Sequence, residues 1–420
     1  MAETLAVEGG EPVRTERMPR PYPGASMIGE EEKRAVMEVL DHRSPFRYYG
    51  PDPAYKTAEL EETFAKMMGI EHALAVTSGT AALIVAMRAL GIGPGHEVIV
   101  PAATFVGCAG AVVSCQAVPI FCEVDRDVHI YPEAIEQVIT PRTKAISVVH
   151  WRGMAADMDP ILELGERHGI PVIEDCAQSL GARYKGRYVG SMGTINAFSF
   201  QMNKVLSAGE GGMVTTNAPA LHTKAVACHD QGTVRGNDDV VVPAFVGENY
   251  RMTEMAAAVM LEQLKKLDTL KDHVRGLGKI IKDAAAEYPD VYVRDPEDSE
   301  RDVGVSVILG FRTGEAFDWV KKALRAEGVP IKHPYGGRAI YMNDMILEKR
   351  MWHDSTTPWD PKIYDGEANY GPGLCPKTED IVTRTGEYQM SMHWTERDAQ
   401  DVASGLHKVL RAMPARVGRS

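Results

Sequence analysis

The sequence predicts an α/β fold: a mainly parallel central sheet covered by helices, then a smaller α+β region. Two observations carry this. Short apolar runs at 73–77, 96–100, 118–124, 144–149, 171–175, 194–200 and 211–216 alternate with helical patterns between most of them. Past about residue 265 the alternation stops, leaving a strand pattern near 302–311 and helical patterns near 315–327 and 395–411.

Residues 1–24 are rich in Pro, Arg and Gly and read as an N-terminal arm. Residues 25–265 then form the large α/β domain, and 266–420 the small C-terminal α+β domain. The run His72-Ala-Leu-Ala-Val-Thr77 is a strand, and Ser78-Gly79-Thr80 falls where a helix begins. Free N–H groups and the positive helix end make an anion cradle there, although plain N-capping by Ser78 explains the same residues. Gly91-Ile-Gly-Pro-Gly95 precedes a strand and has Pro94 in its middle, so it is a helix stop and turn, not a dinucleotide loop. The strand at 144–149 leads into His150-Trp151-Arg152-Gly153. Gly169-Ile-Pro-Val-Ile-Glu174-Asp175 is a short buried strand ending in acids. A continuous helical stretch runs from Thr253 to about Glu287. The segment 333–376 is long, lacks periodicity and holds Arg338, Tyr341, Trp352, Trp359, Tyr364 and Tyr370. Such loops are usually functional or disordered, and its aromatic content predicts an ordered flap near the substrate mouth.

The most informative residue is Lys204. It lies in a polar turn between the strand that ends at Phe200 and the one that starts at Gly212. A lysine held between core strands is largely withdrawn from water, which favours its free amine, the nucleophile of Schiff-base chemistry. Pyridoxal phosphate needs such a lysine for its aldehyde and an acid for its ring nitrogen. Strand alternation turns Glu174 and Asp175 to opposite faces, and Asp175 is the better candidate for that acid.

Composition bounds the alternatives. The chain has 420 residues, more than one hydrophobic core usually supports, with 44% hydrophobic and 25% charged residues. A net charge of −12 argues against a nucleic-acid surface. The six cysteines form no C-x-x-C pair and no zinc-ligand spacing, so no metal is expected. The first residues lack the apolar stretch of a signal peptide and no run is long enough to span a membrane, so a reducing cytoplasm is expected.

Six stretches, in order, carry a family resemblance: Thr77-Ser-Gly-Thr-Ala-Ala-Leu, Val100-Pro-Ala-Ala-Thr-Phe105, Ile173-Glu-Asp-Cys-Ala-Gln178, Phe198-Ser-Phe-x-x-x-Lys204, Gly209-Glu-Gly-Gly212 and Asn249-Tyr-Arg-Met-Thr-Glu254. The chain resembles the DegT/DnrJ/EryC1/StrS aminotransferases, a branch of the fold-type I pyridoxal phosphate enzymes. The resemblance implies roles. Lys204 would hold the cofactor and move protons. Asp175 would face the ring nitrogen, Phe105 would stack on the ring, and Gln178 would approach its hydroxyl side. Gly79, Thr80 and Ser199 would bind the phosphate, with Asn249 reaching the same phosphate from a neighbouring subunit of a homodimer. It also implies glutamate or glutamine as donor, and a keto-sugar, nucleotide keto-sugar or keto-cyclitol as acceptor. Related sequences often have an aliphatic-Tyr-Gly run at 150–153. Arg152 departs from that and suggests a contact to an acidic group, with a structural ion pair as the competing reading. Tyr335 and Arg338 join it as candidate substrate residues. Two other functions stay open: decarboxylation or dehydration with the same cofactor, and a non-catalytic regulatory role. The family's sugar dehydratases have histidine in place of the lysine, so Lys204 argues against dehydration.

Overall fold

The computed structural model describes residues 3–235 and 245–416. Its centre is a seven-stranded sheet. The strands are β1 (His72–Val76), β2 (Glu97–Pro101), β3 (Val118–Cys122), β4 (Thr143–Val149), β5 (Val172–Asp175), β6 (Ile195–Ser199) and β7 (Gly212–Thr216). They lie in the order β1-β7-β6-β5-β4-β2-β3. Strands β2 to β6 pair in parallel, whereas β7 is antiparallel to both β6 and β1. The reversal has a local cause. A parallel return needs a crossover of a dozen or more residues, usually through a helix. Between β6 and β7 there is only the Lys204 turn, with no helix.

Helices α1 (Glu30–Asp41), α2 (Lys56–Met68) and α3 (Gly79–Ala89) precede β2. Next come α4 (Gly107–Ser114), α5 (Pro132–Val138), α6 (Met158–His168) and α7 (Pro219–His229). Strand β4 is buried at all but one position and β5 at every position, as expected of parallel strands covered on both faces. The single helical stretch expected over 253–287 is two helices, α8 (Glu254–Leu264) and α9 (Leu267–Ala286). The break at Lys266 lets its ammonium reach Glu32 at 2.7 Å and the Met27 carbonyl at 2.9 Å.

The C-terminal part adds a three-stranded antiparallel sheet of β8 (Tyr292–Val293), β9 (Ser306–Gly310) and β10 (Thr385–Gln389). Helices α10 (Gly314–Ala326), α11 (Asp344–Leu347), α12 (Pro376–Thr383) and α13 (Glu396–Arg416) accompany it. The N-terminal arm packs along this part. Glu327 accepts from the amides of Ala6 and Val13 and from Lys408, and Arg14 pairs with Asp398 and Asp401.

Most aromatics of the segment 333–376 are not at the substrate mouth. Trp359 and Tyr364 pack with Val118 of β3, at the edge of the sheet. The Tyr370 hydroxyl bonds the Pro119 carbonyl at 2.9 Å, and the Tyr364 hydroxyl bonds Glu97 at 2.7 Å. An open edge strand exposes unpaired polar backbone, and this segment covers it. Among the described aromatics of 333–376, Tyr335 alone lines the cavity that also holds Lys204. All six cysteines are buried and unpaired. Among the described residues no helix is long and apolar enough to cross a membrane.

Candidate active site

Parallel strands deliver their carboxyl ends to one edge of a sheet, and the loops there shape its crevice. In this chain the turn after β1, the end of β5 and the turn after β6 meet in a cavity of about 590 Å³. Ser78, Gly79, Asp175, Gln178, Ser199 and Lys204 all line it.

The Lys204 turn is built from its own backbone. The amide of Lys204 donates to Gln201 O at 2.9 Å, and Met202 N donates to Gly209 O at 3.0 Å. The side chain is half-buried, and its Nζ makes no hydrogen bond among the described residues. That Nζ lies 6.0 Å from the Phe105 ring centroid. Burial lowers its pKa below the usual lysine range; Asp175 opposes the shift and Arg152 adds to it. The turn thus presents an amine with enhanced nucleophilic character.

Glu174 and Asp175 face opposite ways, as alternation requires. Glu174 is engaged on both oxygens: Oε2 accepts from His150 Nε2 and Gly190 N, each at 2.8 Å. Its Oε1 accepts from Met192 N at 2.7 Å and Gly193 N at 2.6 Å. His150 Nδ1 accepts from Ala156 N at 3.0 Å, which puts the ring proton on Nε2, toward Glu174. Burial pushes the Glu174 pKa up, but His150 and the backbone amides outweigh it and the net shift is downward. Cys176 lies within 4.8 Å of this pair, yet the glutamate oxygens already have their partners. Among the described residues Asp175 accepts only one hydrogen bond, from Ala177 N to Oδ1 at 3.0 Å, although it is 5% exposed. Burial raises its pKa, against the pull of the Ala177 amide, Lys204 and His150. Glu174 is therefore a structural acid, and Asp175 is an acid with an open oxygen on the cavity.

At another side of the cavity α3 begins. Ser78 Oγ accepts from Ala81 N at 3.0 Å, and the Ser78 carbonyl takes the Ala82 amide at 2.9 Å. The amides of Gly79 and Thr80 are left for an anion. A Cβ on Gly79 would lie 2.5 Å from Ser199 Cβ, so only glycine allows Ser199 this close. Phe105 is 52% exposed beside them, an aromatic face open to a flat ring. Gln178 Oε1 accepts from the Arg152 amide at 3.1 Å. These residues can hold a phosphorylated aromatic aldehyde: an amine for the aldehyde, an acid for the ring, an aromatic face and an anion cradle.

Arg152 lines the cavity and also has a structural partner. Its Nε lies 3.0 Å from Glu387 Oε1, an ion-pair contact too bent for a hydrogen bond. Its guanidinium sits 4.4 Å from the Tyr335 ring centroid. Burial pushes the Tyr335 phenol up to about 12, partly offset by Arg152. Arg294, 1% exposed, donates to the carbonyls of Trp151 and Arg152 at 3.1 and 2.8 Å and fixes this loop. Arg338 is exposed and does not line the cavity: the chain turns at Tyr335 and Gly336, which have φ 48° and 76°, and carries it away. Asn249 is also exposed and outside its own chain's cavity, with Oδ1 accepting from Arg251 N at 3.1 Å. The sequence reading missed the arm residues Pro21, Tyr22 and Pro23, and Ser306 and Gln389 from the small sheet, all of which line the cavity.

The chain is 46% identical over 255 residues to GDP-perosamine synthase of Caulobacter vibrioides, a match spanning 60% of this chain and 66% of that protein, just under two thirds of its length. It is 32% identical to L-glutamine:2-deoxy-scyllo-inosose aminotransferase of Streptomyces fradiae across 98% of both chains. The structure of S. venezuelae DesV in complex with a ketimine intermediate superposes with a TM-score of 0.80 at 28% identity, covering 94% of this chain and 99% of that one. Residues 26–407 match one family throughout, and the chain belongs to the DegT/DnrJ/EryC1/StrS aminotransferase family.

Proposed function

We propose that this chain is a pyridoxal phosphate-dependent aminotransferase that takes an amino group from glutamate or glutamine. Its acceptor is a keto-sugar, a nucleotide keto-sugar or a keto-cyclitol. One observation carries the reading: a partly desolvated amine, an acid with an open oxygen and an anion cradle share one cavity. The acceptor class is supported by relatives named for GDP-perosamine and for 2-deoxy-scyllo-inosose.

When bound, pyridoxal phosphate supplies the aldehyde that takes up the amino group and the ring that withdraws electrons from the carbon losing its proton. The protein does the rest. Lys204 Nζ removes the proton from the donor's α-carbon and returns one to the acceptor's former carbonyl carbon. Asp175 would hold a proton on the ring nitrogen, and a cation opposite it would favour its charged form. The Gly79 and Thr80 amides and Ser199 would fix the phosphate, and Phe105 would cover one ring face. Arg152, already oriented by Glu387 and Tyr335, takes the donor's carboxylate on its free N–H groups. Asn249 completes the partner's site in a homodimer. Its exposure outside its own cavity supports this, as do the exposed Phe245 and Val246 beside it, at 43% and 103%. Twofold closed dimers are the commonest homo-oligomer.

The test is a pair of half-reactions followed by absorbance and mass spectrometry. Glutamine or glutamate should convert the cofactor to its amino form, and a keto-polyol panel should convert it back with a new amine in the product. Carbon dioxide released in place of amino transfer would turn the reading to decarboxylation. A protein that binds the cofactor but reacts with neither donor would be regulatory.

A further inference from the structure

Three residues of the N-terminal arm, Pro21, Tyr22 and Pro23, form part of the cavity wall. Tyr22 has φ 101°, in a region that disfavours any side chain. Pro23 follows it, and a residue before proline is further confined to extended backbone. Such strain persists only where the surroundings over-determine it, and it gathers at functional sites.

The surroundings here do over-determine it. The Arg20 carbonyl accepts from Ser391 Oγ at 3.0 Å. The Tyr22 carbonyl accepts from Ser26 N at 3.0 Å, and the Pro23 carbonyl from Ser26 Oγ at 2.6 Å. Gly24 N donates to the carbonyl of Lys204 itself, at 3.2 Å. A Cβ on Gly24 would lie 2.5 Å from Leu206 Cα, so the arm lies directly on the turn that carries Lys204. The arm is clamped on both sides of Tyr22, and the Tyr22 hydroxyl has no partner among the described residues.

The chemistry of this wall differs from that around Arg152. The arm lines the cavity with two prolines and a phenol and contributes no charge. A donor carboxylate belongs at Arg152. An acceptor polyol places its keto carbon at Lys204, and its neutral, hydroxylated ring offers no charge for Arg152 to pair. A tyrosine suits that ring, with an aromatic face for its carbon skeleton and a hydroxyl that can donate and accept. We propose that residues 21–24 form the acceptor side of the cavity and that Tyr22 is a specificity-determining residue that contacts the acceptor's polyol ring. This rests on the aminotransferase reading above.

Tyr22→Gly tests it without endangering the fold, because glycine adopts the positive φ freely. Tyr22→Phe isolates the hydroxyl. Each holoenzyme is melted and assayed in separate half-reactions, with L-glutamine as donor and with 2-deoxy-scyllo-inosose and a GDP-linked keto-hexose as acceptors. Tyr22→Gly should melt no lower than wild type and keep the glutamine half-reaction within about twofold. Its kcat/KM for the better acceptor should fall about tenfold or more, with a changed ratio between the two acceptors. Tyr22→Phe should lose less, mainly through KM. An unchanged acceptor ratio overturns the proposal, and so does a parallel loss in both half-reactions, which marks a merely structural wall. Wild-type enzyme that reacts with glutamine but aminates neither acceptor overturns the function reading, and this inference with it.

Discussion

Glu174 and Asp175 are chain neighbours, both buried at the end of one strand, and the structure treats them oppositely. Glu174 faces four donors and its pKa is lowered. Among the described residues Asp175 faces one donor and the cavity, and its pKa is raised. The difference shows that residue type and burial do not distinguish a structural acid from a functional one. Hydrogen-bond satisfaction does, because a buried oxygen left open costs stability unless a ligand uses it. Arg152 is the intermediate case, with Glu387 on one side and the cavity on the other.

The largest effect that would sharpen this contrast is on turnover. Asp175→Asn should cost about 10²–10³-fold in both half-reactions, the usual loss when one electrostatic stabiliser is removed. Its cofactor-free form should melt no lower than wild type at neutral pH. A raised acid pKa means that the folded state holds the proton more tightly, so ionising Asp175 costs stability as pH rises, and asparagine avoids that cost. Near-normal turnover in Asp175→Asn would break the contrast and return the role to Glu174.

Arg152→Lys should come next, with a loss of about ten- to a hundredfold in kcat/KM for the glutamine half-reaction. The lysine keeps the charge but not the planar fork. Comparing Arg152→Lys across the two half-reactions separates the readings. A defect confined to the acceptor assigns Arg152 there instead, and a fall in melting temperature with both rates intact makes it only Glu387's partner.

The smallest effect belongs to Glu174→Gln. It should leave both half-reactions close to wild type and reduce stability by about 1.5–3 kcal/mol, the worth of a charged buried hydrogen bond. Because the folded pKa of Glu174 is lowered, its contribution is present above the ordinary glutamate value of about 4.3 and is lost as pH falls below it. Denaturant titrations should therefore show the two proteins converging in acid. A constant gap across pH would mean the charge of Glu174 is not what the four donors stabilise.

The core of the site was legible because each part is contiguous in sequence. A strand, a small-residue turn and a helix start follow one another at 72–90, and the acid and the lysine each sit at a strand end. What was not legible came from residues that meet only after folding. Strand β10 reads Thr-Gly-Glu-Tyr-Gln, with no apolar alternation, yet it brings Glu387 to Arg152 and Gln389 to the cavity. The arm carried a turn signal in Pro21-Tyr-Pro-Gly24, but nothing local says that a turn will lie on Lys204. The aromatics of 333–376 suggested a flap near the substrate mouth, but Trp359, Tyr364 and Tyr370 lie over the sheet edge instead. Apolar rings pack equally well over a sheet edge as over a substrate, so their pattern does not choose between the two.

The central claim is that Lys204 is the covalent anchor of the cofactor. Purified protein saturated with pyridoxal phosphate is reduced with borohydride, digested and mapped by mass spectrometry, with Lys204→Ala treated alongside. The account predicts one stoichiometric phosphopyridoxyl mass on the peptide containing Lys204, and none in the variant, which should remain folded and lose several orders of magnitude in turnover. A label on another lysine, or no label on saturated wild-type protein, would contradict it.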